Sequence, residues 1–184
     1  MTSLTVSTSA ADCYGYDAVN LNTTNTILFV AAHNVANSAD TRTWIPFVVN
    51  IPQGKTIISA TLRWVATDTR TENFNVSFSC EAADNASAPA SAAALYAKAR
   101  TAFTTVTVPD YTDGVEYSNS VTAAVQAVIS RAGWVSGNTL AVMVDNDTAS
   151  AFQRREVAAF EHATYSEPML DIVVRDAARA GFFI

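Results

Sequence analysis

The sequence predicts an all-β protein, an antiparallel jelly-roll β-sandwich with one amphipathic helix at about residues 119–132. Three features point there. Residues 59–66 and 74–80 alternate apolar and polar side chains with the period of a half-buried strand. Further short runs are rich in β-branched and aromatic residues, for seven or eight strands in all. Only one stretch repeats at the helical period, so the βαβ alternation of a parallel doubly wound sheet is missing.

Taken in order, residues 26–30 (TILFV) open the series and residues 43–51 (TWIPFVVNI) follow. Pro46 places that second strand at an edge or a bulge, because proline has no ladder N–H. Pro52, Gln53, Gly54 and Lys55 then turn the chain, with Pro presetting φ and Gly accepting a positive one. In residues 57–67 (IISATLRWVAT), Ala60, Leu62, Trp64 and Ala66 share a face opposite Thr61, Arg63 and Val65. In residues 73–80 (NFNVSFSC), Phe74, Val76, Phe78 and Cys80 point inward, and Asn75, Ser77 and Ser79 outward. Residues 81–94 (EAADNASAPASAAA) lack bulk and read as a surface loop, with a helical turn running on to Arg100.

Residues 104–108 form the next strand. In residues 118–134 (SNSVTAAVQAVISRAGW), Val121, Ala124, Val125, Val128 and Ile129 make one apolar stripe. Ser118 or Ser120 caps the start of this helix. Gly133 takes the left-handed position past its end, which puts Trp134 back against Ile129. Ser136, Gly137 and Asn138 turn into residues 139–144 (TLAVMV), and residues 169–174 (MLDIVV) close the set. No internal repeat or linker interrupts the chain, so residues 1–184 read as one domain, with extended contact segments at 1–12 and 176–184.

Composition narrows the function classes. Of 184 residues, 49% are hydrophobic and only 15% charged, which argues against disorder. Seventeen acidic against 11 basic residues give a net charge of −6, and the only lysines are Lys55 and Lys98. That balance argues against nucleic acid and against an anionic membrane as partner. Surface polarity falls instead to 33 Ala, 22 Thr, 15 Ser and 12 Asn, a neutral skin suited to dense packing in an assembly. A lineage bias towards Ala and Thr explains the same counts. Residues 1–17 lack the basic start and apolar core of a signal peptide. The longest apolar run, residues 27–32, is far short of the ~20 residues that span a bilayer. The expectation is a soluble chain that is not exported by that route.

Chemistry is hard to assemble from these residues. Cys13 and Cys80 have no CxxC partner, and with two histidines, His33 and His162, no zinc ligand set forms. The thiols read as buried and free, with a Cys13–Cys80 bridge as the alternative. No nucleophile elbow and no phosphate-cradling glycine loop occurs, so no catalytic residue and no cofactor is expected. Asp145 and Asp147 are weak calcium candidates beside Asn146, lacking the twelve-residue loop, and an Asx-rich turn is the plainer reading. Glu156 and Glu161 pair as a glycosidase acid and base only if a cleft joins them. Arg154, Arg155 and Glu156 interrupt a strand-like stretch. An ion pair between Arg155 and Glu156 that locks the strand to the sandwich is one reading, and a ligand-binding arginine the other. Trp44, Trp64 and Trp134 lie in apolar patterns and read as core. Tyr14, Tyr16, Tyr96, Tyr111, Tyr117 and Tyr165 lie mostly in loops, where an exposed cluster would grip glycan or protein.

Three segments carry a family resemblance. IPQGKTIISATLRWVAT, VTAAVQAVISRAGWVSGNTLAVMV and FQRREVAAFEHATYSEPMLDIVV together resemble the DNRLRE-type and related carbohydrate-module-like jelly rolls. The GW-SGN stretch around Gly133 and Trp134 is the most specific, and the three cover most of residues 12–174. The resemblance implies a jelly roll used for display or binding, with no catalytic set to carry over. Members are commonly exported and appended to longer chains, and this chain departs from that pattern.

A lone jelly roll without an export signal looks like a virion component, a phage capsid decoration or tail accessory protein. It is expected to be multi-copy and held by contacts to other virion proteins. A carbohydrate-binding module or adhesin at a phage tail is the alternative, with a surface glycan as partner. Phe182, Phe183 and Ile184 give the chain an apolar end that either folds back or docks on a neighbouring subunit.

Overall fold

A computed structural model describes residues 1–16, 19–31, 41–146 and 153–175. In chain order its strands are β1 (Thr2–Ser7), β2 (Cys13–Tyr16), β3 (Asn20–Asn22), β4 (Ile27–Ala31), β5 (Thr41–Val48), β6 (Ile57–Val65) and β7 (Asn75–Cys80). A short helix α1 (Ala92–Tyr96) precedes β8 (Thr104–Thr107) and β9 (Glu116–Ser120). Helix α2 (Thr122–Ile129) leads into β10 (Thr139–Asn146), β11 (Arg154–Ala158) and β12 (Met169–Val174).

These twelve strands build an antiparallel β-sandwich. One layer is a four-stranded sheet in the order β1-β12-β6-β9, and the facing layer has six strands in the order β3-β2-β5-β10-β7-β8. The ribbon β4–β11 extends the first layer: Ala66 bridges to Val157, and the Thr67 N–H donates to Glu156 O at 3.0 Å. The ribbon lies over β5 and β10, where the Thr43 hydroxyl donates to Phe29 O. Between the layers lies the main core. Ala60, Leu62 and Trp64 of β6 and Leu170 and Ile172 of β12 face Val76 and Phe78 of β7 and Leu140 and Val142 of β10. All are buried, and each larger side chain contributes about 1.5–3 kcal/mol.

The alternation in β6 and the inward set Phe74, Val76, Phe78 and Cys80 are as the pattern predicts. The other side of β7 is not. Ser77 and Ser79 are buried too, because β7 lies inside the six-stranded sheet and its outer face is covered. Residues 81–100 are the cover, and so are more than a surface loop. Ala86 and, from α1, Leu95 close over Cys13, Trp44, Ala141 and Met143 as a second, smaller core. Pro46 sits on a strand flanked by β2 and β10, yet β2 stops at Cys13, opposite Trp44. Past that point β5 is locally an edge, and Pro46 O takes a hydrogen bond from the Thr8 hydroxyl at 3.0 Å.

The helix prediction holds in its stripe and fails at both ends. Val121, Ala124, Val125, Val128 and Ile129 are all buried, but the helix spans Thr122–Ile129, shorter than 119–132. Neither Ser118 nor Ser120 caps it. Both belong to β9, and the N-cap is Val121 without a side-chain bond. The strand claims these serines because they pair with Arg63 and Thr61 of β6. Thr122 Oγ1 instead accepts from the Ala60 N–H at 2.9 Å, tying the helix start to the sheet.

Candidate functional site

The cluster Arg154, Arg155 and Glu156 lies on β11, and the structure divides it in two. Arg154 pairs with Glu156 at 2.7 Å and lies over the Phe29 ring. Arg155 does not pair with Glu156, since successive strand residues point to opposite faces. Its guanidinium is wholly buried (0% exposed) and turns to Glu72, with Nη1 3.0 Å from the carboxylate and Nη2 2.6 Å from the main-chain carbonyl. Nε and Nη2 each donate to Pro109 O at 3.1 Å, and Nη1 also donates to Arg154 O at 3.0 Å. The rings of Phe74 and Tyr111 flank it at 5.0 and 5.4 Å. Its donors are spent on the protein's own chain. Arg155 is a structural tie joining β11 to two loops.

Asp145 is similarly committed. On the outer face of the six-stranded sheet its Oδ1 accepts from Arg42 Nε, and the Arg100 guanidinium stands 2.7 Å from Oδ2 as an ion contact without hydrogen-bond alignment. Two cations neutralise this carboxylate, so the calcium reading of Asp145 is corrected; Asp147 lies outside the described residues. No group of three or more His, Cys, Asp or Glu side chains placed to hold a metal occurs among the described residues. Beside Asp145, Glu81 accepts from Trp44 Nε1 at 2.8 Å and from Lys98 at 2.9 Å, and Lys98 lies over the Trp44 ring. This charge network clamps residues 81–100 onto the sheet.

The remaining candidates also serve the fold. Trp44, Trp64 and Trp134 are buried, and Trp134 Nε1 donates to Ile51 O at 2.9 Å. Gly133 is not left-handed: among the described residues the positive-φ glycines are Gly54, Gly114 and Gly137. Glycine is needed there for space, since a Cβ would overlap the Asp84 carboxylate and lie 2.7 Å from its Cγ. Cys13 and Cys80 are free and buried, Cys13 in the outer core and Cys80 in the main one. The sheet separates them. Burial pushes the Cys13 thiol up to about 12, and Cys80 is raised for the same reason. The His162 ring accepts through Nδ1 from the Tyr165 N–H at 3.0 Å and stacks on Tyr165. Tyr14 and Tyr111 are core residues and not loop contacts, and Tyr117 stacks on Tyr111 at 4.0 Å. His33, Phe182, Phe183 and Ile184 lie outside the described residues.

One surface is built differently. The outer face of the four-stranded sheet has no described element packed on it. It presents Ser3, Thr5 and Ser7 from β1, Ser59 and Thr61 from β6, and Ser118 and Ser120 from β9. A polar ladder crosses all four strands. The Thr5 hydroxyl donates to Asp171 at 2.6 Å, Arg63 reaches Asp171 at 2.5 Å, and Arg63 reaches Glu116 at 2.7 Å. Arg63 holds the Asp171 carboxyl below its ordinary value by hydrogen bonding. A cleft of about 250 Å³ borders this face, and its charged lining includes that Arg63–Glu116 pair. The face ends at β1, which among the described strands pairs with β12 alone. The strand is TSLTVS, without charge or proline, so it lacks the usual protections of an exposed edge.

Compared with known families and with characterised proteins, the chain matches no family model and no characterised sequence.

Proposed function

We propose that this chain is a non-enzymatic structural protein that works by protein–protein contact through the bare face of its four-stranded sheet and the β1 edge. A jelly-roll accessory or decoration protein of a phage particle, present in many copies, is the setting that suits it. One observation carries the reading: a face on which Arg63, Asp171 and Glu116 are paired with one another, flanked by small hydroxyls and ending in a strand with no second described neighbour. A partner docking there covers Asp171, Arg63 and Glu116 without stranding any one of them, which avoids the main cost of burying charge. Strand β1 then offers main-chain groups to an added strand, a recurring way for a sheet edge to take a partner.

The experiment is a Ser3→Lys/Ser7→Lys double variant, followed by sedimentation velocity and by recovery of the protein with purified particles. Both side chains are exposed, so the melting temperature should stay within a few degrees while self-association or particle incorporation is lost. Unchanged assembly in the variant would reject this surface. Specific retention of the wild-type protein on glycan columns would favour a carbohydrate-binding role instead.

A further inference from the structure

We propose that the cleft at the end of β12 binds a carboxylate carried on a short branched aliphatic arm, a site that touches the start of β1 at Thr2 but does not rest on the docking role proposed for that edge. Ten of the chain's 11 basic residues are described, and eight of these are ion-paired. The two without a carboxylate partner among the described residues are Lys55 and Arg175, and both line this one cleft of about 130 Å³. In a chain of net charge −6, two cations lining one concavity with no carboxylate partner among the described residues mark a place for an anion.

Local structure holds the two side by side. The Arg175 N–H donates to Thr56 O at 2.9 Å, which fixes the end of β12 beside Lys55. The turn bearing Lys55 is anchored on the end of α2. The Gly54 N–H donates to Ile129 O at 3.0 Å, Gln53 Nε2 to Arg131 O at 2.7 Å, and Gln126 Nε2 to Lys55 O at 3.0 Å. Opposite the cations, Ile51 and Val174 are buried, and with Pro52 they give the cleft an apolar wall. Asn50 adds an amide at the rim.

The dimensions select the ligand class. A cleft of about 130 Å³ has room for a carboxylate and a few carbons. Two cations against an apolar wall favour an anion with an aliphatic arm over a bare inorganic ion. A free aliphatic acid and a chain-terminal leucine carboxylate of a partner share that chemistry.

The test is an amide-resolved NMR titration of the full chain. Isovalerate should shift Ile51, Lys55, Val174 and Arg175 saturably, whereas isovaleramide and inorganic phosphate should bind at least about tenfold more weakly. Lys55→Met and Arg175→Gln should each raise the Kd about tenfold, with signals elsewhere unmoved because neither side chain is buried. Acetyl-Ser-Ala-Leu binding more tightly than isovalerate would identify a protein terminus as the source, and equal binding a small acid. Equal affinity for isovaleramide or phosphate, or no saturable shift, would overturn the proposal. So would a gain of more than about tenfold in Asp176→Asn, which would show that the chain's next residue is the counter-ion.

Discussion

Replacing Arg155 tests whether a buried charge or the backbone around it holds β11 in place. Five hydrogen bonds leave the guanidinium, and four of them end on main-chain carbonyls: two on Pro109 O, one on Glu72 O and one on Arg154 O. Arg155→Met keeps the apolar stem between Phe74 and Tyr111 but leaves three carbonyls without this donor. Each orphaned carbonyl costs about 1 kcal/mol where water makes good part of the loss, so about 3 kcal/mol in total. For a domain of this size that is about 6–12 °C in melting temperature. Arg155→Lys retains the charge but cannot span three carbonyls, and should recover less than half of the loss. Glu72→Gln removes the ionic contacts to Arg155 and to Arg70 (3.4 Å) but leaves the Arg155 bonds to all three carbonyls in place. The Glu72 side chain is 36% exposed, so the cost should stay below about 1 kcal/mol. Urea denaturation of the three variants, read by tryptophan fluorescence, gives the differences directly. A Glu72→Gln loss as large as that of Arg155→Met, or an Arg155→Met loss under about 1 kcal/mol, would refute the backbone account.

Asp12 is buried, and its carboxyl is pushed up to about 7 from an ordinary 3.8 by desolvation, against a lowering bond from the Phe160 N–H and with the nearby Glu161 charge adding to the rise. Between those two values the folded state keeps a proton that the unfolded chain releases, so stability should fall as pH rises, by up to about 1.4 kcal/mol per unit. Denaturation midpoints of Asp12→Asn across that window should lose this slope; an unchanged slope would clear Asp12. Gly133→Ala should cost about 1 kcal/mol by displacing Asp84 from Arg131, its partner at 2.6 Å. The same change in an Asp84→Ala background should cost almost nothing, and full additivity in the double-mutant cycle would contradict the clash. Both thiols should resist Ellman's reagent in the native protein and react in denaturant, and mild oxidation should yield no internal Cys13–Cys80 bridge on a non-reducing mass map.

The parts of the fold legible in the sequence are those where packing and period agree. β6 has a core on one face only, so Ala60, Leu62, Trp64 and Ala66 show through as alternation. β7 fools the same reading, because its outward Ser77 and Ser79 are polar for another reason: a covering loop, not solvent, lies above them. That loop hid its role by composition. Ala86 and Leu95 are few apolar residues in a stretch of alanines, and nothing local says they close a second core. The short strands β1, β3 and β9 were invisible for want of bulk, since TSLTVS and EYSNS form strands only through partners distant in sequence, and β2 (CYGY) is only four residues long with a glycine inside it. Arg155 was legible as unusual but not in its partner. Sequence adjacency suggested Glu156, and only the fold brings Glu72 within 3.0 Å. No local signal singled out Lys55 and Arg175. Their pairing depends on which other cations found carboxylates, a property of the whole fold.

The two outer faces of the sandwich bear in opposite ways on the contact role proposed above. On the six-stranded side the chain covers its own sheet, and the charges trapped beneath the cover, Arg42 with Asp145 and Lys98 with Glu81, are paired and buried. Leaving any of them single would cost several kcal/mol, so that face is closed to visitors. On the four-stranded side the charges form the same kind of network, yet no described element covers it. Arg63 joins Asp171 and Glu116 across three strands while remaining 29% exposed, so the row is complete before anything binds. A surface ion pair adds little to the stability of a monomer. Such a ladder gains more when a partner excludes water from it, because the partner need bring no charge of its own. The Ser and Thr side chains around it are short, lose little rotamer freedom on contact, and can bond to whichever backbone arrives. A sheet face with these properties, beside an edge with no second described neighbour, is suited to lying against another protein, which is the role proposed for it.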